Sequence, residues 1–495
     1  MDVSEMGHRG LFDALDTDRA NVVWKWKLLE ELKQSGLQSD DPRVERAMSG
    51  VLSAGAGFEP GQPEWLDFEQ FSRAVQEPVI WRALQGGLAV PPAEWAELTS
   101  GIDQIYADLL PDRSGEVAQY IPTLRDADPD KFAIAICTAD GQVFQIGDAN
   151  LGFSVQSTSK PFSYAMALEQ FGSEEVHNWV GQEQSGGTFN DRNLSLDADG
   201  RPQNPMINAG AMATLALVRP QFGVSERFSE VERTWAQMMG RPPGFDHMTF
   251  LAERETGHGN RGLASQMASE GMLNVDPRDR DAPQKAAEFY FAVCSLQVDA
   301  QGLAAAGATL ANGGVAPYTD KPVFSQETAG RVLSMMGHSG MYNDSGKFSD
   351  QVGLPAKSGV SGNVMMVVPA QRFAVVTFSP RLDEAGNSVR GVEVCRRLVE
   401  DFGLHPYRGL GGERAREVGG AARTGPQSAP VHVRSADRTD ARGDAVRHAF
   451  SGVPGPKPRG AQSAGSQSAG SRNSATPASE KPGTGRHRGD NAKGL

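Results

Sequence analysis

The chain has 495 residues, enough for several domains with their own apolar cores, and 39% apolar with 22% charged content is that of an ordinary globular protein. A formal net charge of -13 speaks against a nucleic-acid partner, which needs concentrated Lys and Arg. Three scattered cysteines, Cys137, Cys294 and Cys395, give no disulfide framework and suit a reducing compartment.

In chain order, residues 1 to 95 read as short amphipathic helices. Apolar spacing runs through Trp24, Leu28, Leu29 and Leu32, then through Phe68, Phe71, Val75 and Ile80. The start MDVSEMGHRGLFDALD has no basic stretch followed by an apolar run, and no stretch of about 18 apolar residues occurs anywhere. A cytoplasmic chain without a membrane contact is expected. LDTDRANVVWKW approaches a calcium loop, with Asp16, Asp18 and Val23 at loop positions 1, 3 and 8. Ala20 replaces the ligand at position 5, and Lys27 replaces the bidentate acid at position 12. A second candidate, ending in WLDFEQF, has Gly61 and Pro63 where ligands belong. Both loops fail as metal sites, so a calcium-free helical module is expected.

A hairpin follows. KFAIAIC is an apolar strand, Asp140-Gly141 a turn and QVFQIGD the return. Residues 156 to 330 are mostly helical. LPAKSGV, NVMMVVP and RFAVVTFS are strands, and Val389, Val392, Val394, Leu398 and Val399 mark a closing helix. Strands on both sides of a helical insert predict an α+β fold: one antiparallel sheet covered by helices, plus an all-helical lobe. From Gly411 onward, 14 Lys and Arg stand against 7 Asp and Glu among Ser, Ala, Gly and Pro, and QSAGSQSAG is a small direct repeat. A disordered basic tail is expected there. The divisions are 1-95, 96-408 and 409-495.

The chemical signal is QSTSKPFSYAMALEQFG. Ser157 and Lys160 form the chain's one S-x-x-K pair, and residues three apart share a helix face. Pro161 fits only a helix's first turn, so the helix starts near Ser157, where its positive end favours a developing alkoxide. A lysine there becomes a base if burial lowers its pKa. Lys357, Ser358 and Gly359 then form K-S-G on a late strand. S-x-x-K on a helix followed by K-[ST]-G is the order of serine β-lactamases and penicillin-binding proteins, although their S-D-N is missing. There is no G-x-S-x-G elbow, HExxH or Walker loop, and the cysteines sit in apolar contexts.

With VAQYIPTL, VQSTSKPFSYA, RPQNPMINAGA, ERETGHGNR, FYFAVCS, TLANGGVAP, SGMYNDSGKF and GLPAKSGVSGN in this order, the chain resembles the serine-dependent glutaminases, kidney-type enzymes included, over roughly residues 20 to 405. The resemblance implies a β-lactamase-like fold, hydrolysis of L-glutamine to glutamate and ammonia, no cofactor or metal, and homodimers or homotetramers. It implies Ser157 as nucleophile, Lys160 as its base and Tyr342 as a proton relay. The Val360 N–H would join that of Ser157 in an oxyanion hole. It places Tyr120, Gln156, Asn208, Glu253, Asn260 and Tyr290 around the substrate. Glu253 would meet the α-ammonium, and Asn208 with Asn260 the α-carboxylate. Lys357 receives no role. The stretch TFNDRNLSLDADGRPQNP corresponds to a loop that shapes assembly in animal members, and the tail shows no ankyrin period.

Overall fold

The computed structural model describes residues 3–52, 65–185 and 196–408. The expected tail, the loop positions Gly61 and Pro63, and part of TFNDRNLSLDADGRPQNP lie outside these residues.

Five strands form the main sheet: β1 (Ala133–Thr138), β2 (Val143–Gly147), β3 (Ala356–Gly359), β4 (Asn363–Val368) and β5 (Phe373–Phe378). Their order is β2-β1-β5-β4-β3, and every pairing is antiparallel. The central β5 pairs Phe373 with Thr138 on one side and with Val368 on the other. Strands from before and after the helical insert thus meet in one sheet, as the sequence predicts.

Both faces are covered, so β1, β4 and β5 are buried throughout and mostly apolar. One face is shaped by small side chains. Ala133, Ala135 and Ala374 join Met365, Val367 and Val376 against the helical lobe. There the Ala-rich helix Ala300–Ala311 lies so close that a Cβ on Gly307 would come within 2.7 Å of the Ala374 Cβ. The other face carries larger side chains, Ile134, Ile136, Val364, Met366 and Val375, under helices Pro92–Leu109 and Val389–Asp401. The helix Pro92–Leu109 runs through the division expected between residues 95 and 96.

The N-terminal helices Val3–Leu15, Lys25–Gln34, Pro42–Leu52, Phe68–Ala74 and Pro78–Leu84 have a core of their own. Leu28, Leu32, Phe71, Val75 and Ile80 are buried there as their spacing requires. Trp24 departs from that reading at 37% exposure. It belongs to a two-residue strand, Val23–Trp24, where side chains alternate, and its neighbour Val23 is the inward one.

This module grips the tip of the β1–β2 hairpin. The buried Arg43 pairs with Asp41 at 2.7 Å and donates to the carbonyls of Asp140 and Pro317 at 2.8 Å each. The Gln142 amide donates to the carbonyls of Ser35 and Val90 and accepts the Val90 N–H. The Asp140 carboxylate takes Arg82 at 2.7 Å and the Ala89 N–H at 2.6 Å. A turn that sequence reads as an ordinary hairpin end is therefore a buried plug. Gly141, with φ of +79°, is required at it, since a Cβ would lie 2.3 Å from the Arg43 guanidinium.

Candidate active site

The segment that carries Ser157 is assembled locally and then fastened from the sheet. A 3₁₀ turn, Gln156–Ser159, leads into the helix Lys160–Val176, with Pro161 in its first turn. The Thr158 hydroxyl donates to the Val155 carbonyl at 2.6 Å, and the Ser159 hydroxyl to that of Gln156 at 2.7 Å. From the β3–β4 turn, Ser361 donates to the Ser154 carbonyl at 2.8 Å, and the Asn363 amide to Val155 and Thr158. These bonds hold Val360 beside the start of the turn. Among the described residues, no turn or loop carbonyl takes the N–H of Ser157 or Val360. Gln156 has φ of 48° and Tyr342 has φ of 52°. Each such conformation costs on the order of 1–3 kcal/mol, so the surrounding structure must hold it in place.

Lys160 is 1% exposed, and among the described residues no carboxylate lies within ion-pair distance of it. Its Nζ donates to Asn208 Oδ1 at 2.6 Å. The Tyr290 hydroxyl donates to the same oxygen at 3.0 Å, and Asn208 Nδ2 donates to Asn260 Oδ1 at 3.0 Å. Asn208 is thus the hub of the site, and its side chain does not cap the helix Asn208–Leu217 that it begins. Burial lowers the Lys160 pKa to about 8, against smaller opposing effects of Cys294 and Glu253.

Glu253 is 5% exposed and accepts from Gln156 Nε2 at 3.0 Å. Burial raises its pKa to about 7, only partly offset by the Gln156 hydrogen bond and the charge of Lys160. The adjacent Arg254 turns away to Glu288 at 3.3 Å. The carboxylate therefore faces inward without a cation of its own, as a receptor for a ligand's ammonium would.

The buried Tyr342 hydroxyl lies beside Ser157 and Ser358, and burial pushes its ionisation up. Lys357 Nζ lies 4.3 Å from the centre of the Tyr342 ring and donates to the carbonyls of Gly340 and Ser358 at 2.9 and 2.8 Å. Burial, with the charge of Lys160, depresses the Lys357 pKa. Sequence reasoning misses this place for Lys357, because K-S-G alone does not say which side chain its lysine faces. It misses Asn363 and Ser361 as well; the SGVSGN stretch containing them is the available signal.

A cavity of about 200 Å³ opens onto Ser157. Gln156, Asn208, Glu253 and Asn260 supply its polar wall, and Tyr120, Tyr290 and Val360 the rest. Tyr120, at 54% exposure, stands at the rim. Lys160 lies behind Asn208 rather than in the wall, and Tyr342 faces a neighbouring polar cavity with Asn204 and His338. The Lys160 amine thus takes Asn208 as its acceptor, and among the described residues it forms no hydrogen bond to the Ser157 hydroxyl. The 3₁₀ turn leads directly into the α-helix, and side chains three apart in such a turn eclipse, so Ser157 and Lys160 share a face. Among the described residues, no group of three His, Cys, Asp or Glu side chains could hold a metal.

A cavity-lining serine and a buried lysine three residues on, beside a helix-covered antiparallel sheet, are the parts a serine hydrolase uses. The family model described as Glutaminase matches residues 115–407, and an EF-hand domain model matches residues 8–91. The chain belongs to the glutaminase family, and its activity is that of a glutaminase. It is 37% identical over 406 residues to putative glutaminase 3 of Caenorhabditis elegans, covering 81% of this chain and 68% of that protein. It is 36% identical over 392 residues to the mitochondrial liver isoform of glutaminase from Mus musculus, covering 78% of this chain and 62% of that one. The solved structure of Mglu in its tris and glutamate form is 41% identical, with a TM-score of 0.59, over 63% of this chain and 68% of the other. Among the described residues, no helix is long and apolar enough to cross a membrane.

Proposed function

We propose that the chain hydrolyses the side-chain amide of L-glutamine through an ester on Ser157, with Lys160 as the base. The observation that carries this reading is a wholly buried lysine, one helical turn from a pocket-lining serine, whose pKa burial lowers to about 8. The cavity is smaller than the ~300–1,000 Å³ of drug-sized sites and suits a single amino acid. Glu253 would take the α-ammonium, and Asn208 and Asn260 the α-carboxylate. A ligand without either group would leave buried polar partners unpaired, which is how such a site discriminates.

Ser157 Oγ attacks the amide carbon and its proton passes to Lys160, with Tyr342 relaying protons between serine and leaving nitrogen. The N–H groups of Ser157 and Val360 stabilise the oxyanion, each worth about 3 kcal/mol in comparable sites. Ammonia departs with the relayed proton. Water then cleaves the γ-glutamyl ester, returning the proton to Ser157. Ser157→Ala is expected to abolish ammonia release while the protein stays folded, and rapid quenching with labelled glutamine to trap the label on Ser157. Retained turnover in that variant would refute the assignment.

A homodimer or homotetramer in the cytoplasm completes the reading. Met248 and Leu251, 64% and 44% exposed, are apolar side chains that a subunit contact would cover. Light scattering on the purified chain tests this.

A further inference from the structure

An EF-hand match implies a calcium loop, and the residues from Asp16 to Lys27 can be tested for one. The backbone follows the expected path. Asn21, at the sixth loop position where glycine usually makes the sharp turn, has φ of 58°. Val23, at the eighth, pairs antiparallel with Leu66. The two oxygens of Asp16 accept the N–H groups of Ala20 and Asn21 at 2.9 and 2.8 Å. At the twelfth position, where a calcium loop has its bidentate glutamate, stands Lys27. Its Nζ reaches back across the loop and donates to the Leu15 carbonyl and the Thr17 hydroxyl, each at 2.7 Å. The donor set does not fit calcium, because an ammonium already takes oxygens of the first turn and the chelating acid is absent.

We propose that Lys27 is a tethered cation that closes this loop in place of a metal. Calcium loops hold together a turn rich in oxygens that needs positive charge. Here the charge is covalently attached to the incoming helix, so closure requires no dissolved ion. The module's grip on the β1–β2 hairpin, through Arg43 and Arg82, is therefore set permanently rather than switched by calcium.

The test is thermal unfolding of the full chain with millimolar calcium or with a chelator. The wild type is expected to melt at the same temperature in both. Lys27→Met is expected to lower Tm by on the order of 1–3 °C, with Lys27→Arg recovering most of the loss, neither responding to calcium. The double change Ala20→Asp and Lys27→Glu supplies the two missing ligands and is expected to gain a Tm that rises with calcium. Glutamine hydrolysis at low temperature should be unaffected in all three, since Lys27 is remote from the cavity lining. A wild-type Tm that rises with calcium overturns the proposal. So does a Lys27→Met protein as stable as wild type, or a double variant indifferent to calcium.

Discussion

Glu253→Gln is expected to cripple the enzyme and stabilise the protein together. The side chain is 5% exposed, and burial moves its pKa from 4.5 to about 7. That displacement corresponds to about 3 kcal/mol of folding free energy lost when the group is ionised. The sign follows from proton binding. Between pH 4.5 and 7 the folded state holds the proton more tightly than the unfolded state, so raising the pH through that window destabilises the wild type. Above it the penalty is complete, and below it the penalty is absent. Glutamine keeps the volume and an oxygen for Gln156 Nε2 but does not titrate. Lys160 loses a favourable neighbouring charge, so about 3 kcal/mol is a ceiling for the gain. For a folded body of this size the ceiling is a Tm increase on the order of 3–6 °C at pH 8, shrinking towards zero near pH 5. Differential scanning calorimetry at the two pH values, with KM for glutamine at pH 8, makes the measurement. KM should rise by at least tenfold, as expected for losing a buried charge-assisted contact worth about 1.5–3 kcal/mol. A variant no more stable than wild type at pH 8, or equally stabilised at both pH values, would refute the idea that Glu253 is held ionised at the expense of the fold.

Other outcomes follow from the same geometry. kcat/KM should rise with pH between about 7 and 8 and level off above, because the substrate's ammonium needs Glu253 ionised and catalysis needs Lys160 neutral; a flat profile across that range would exclude Lys160 as the base. Tyr342→Phe removes only the hydroxyl beside Ser157, and stopped assays should show kcat down about 10²–10⁴-fold with KM little changed. Arg43→Ala strands the buried Asp41 and two carbonyls, and urea unfolding should show a loss of about 3–5 kcal/mol, well beyond that of a surface arginine.

Much of the fold is legible because its strands are short, apolar and bounded by turn residues. Ile134, Ile136, Val375 and Val367 can only belong to a sheet with both faces covered. What stays hidden is what covers the hairpin tip. Asp140-Gly141 has the local signature of a solvated turn, and its burial comes from an arginine 97 residues away in another module. Local propensity carries no information about such a partner. Trp24 misleads for a related reason: apolar residues at helical spacing are counted through a position that belongs to a two-residue strand, where the period is two.

At the site, residue types are legible and roles are not. S-x-x-K spacing points to a hydroxyl and an amine on one face, which the 3₁₀ turn preserves, yet it does not say which acceptor the amine takes. The partner of Lys160 is Asn208, 48 residues on, whose single amide oxygen also holds Tyr290. That sharing has a chemical consequence. An acceptor taken by two donors and backed by a bond to Asn260 is rigid, so it keeps Lys160 oriented whether or not the amine carries its extra proton. A carboxylate in the same place would fix the lysine in its charged form and spoil it as a base; the neutral amide positions it while leaving burial to set its pKa. Asn208→Asp should therefore retain the fold and lose turnover at neutral pH, with activity returning only as the pH is raised well above 8. An Asn208→Asp enzyme with the wild-type pH profile would show that Asn208 serves substrate alone.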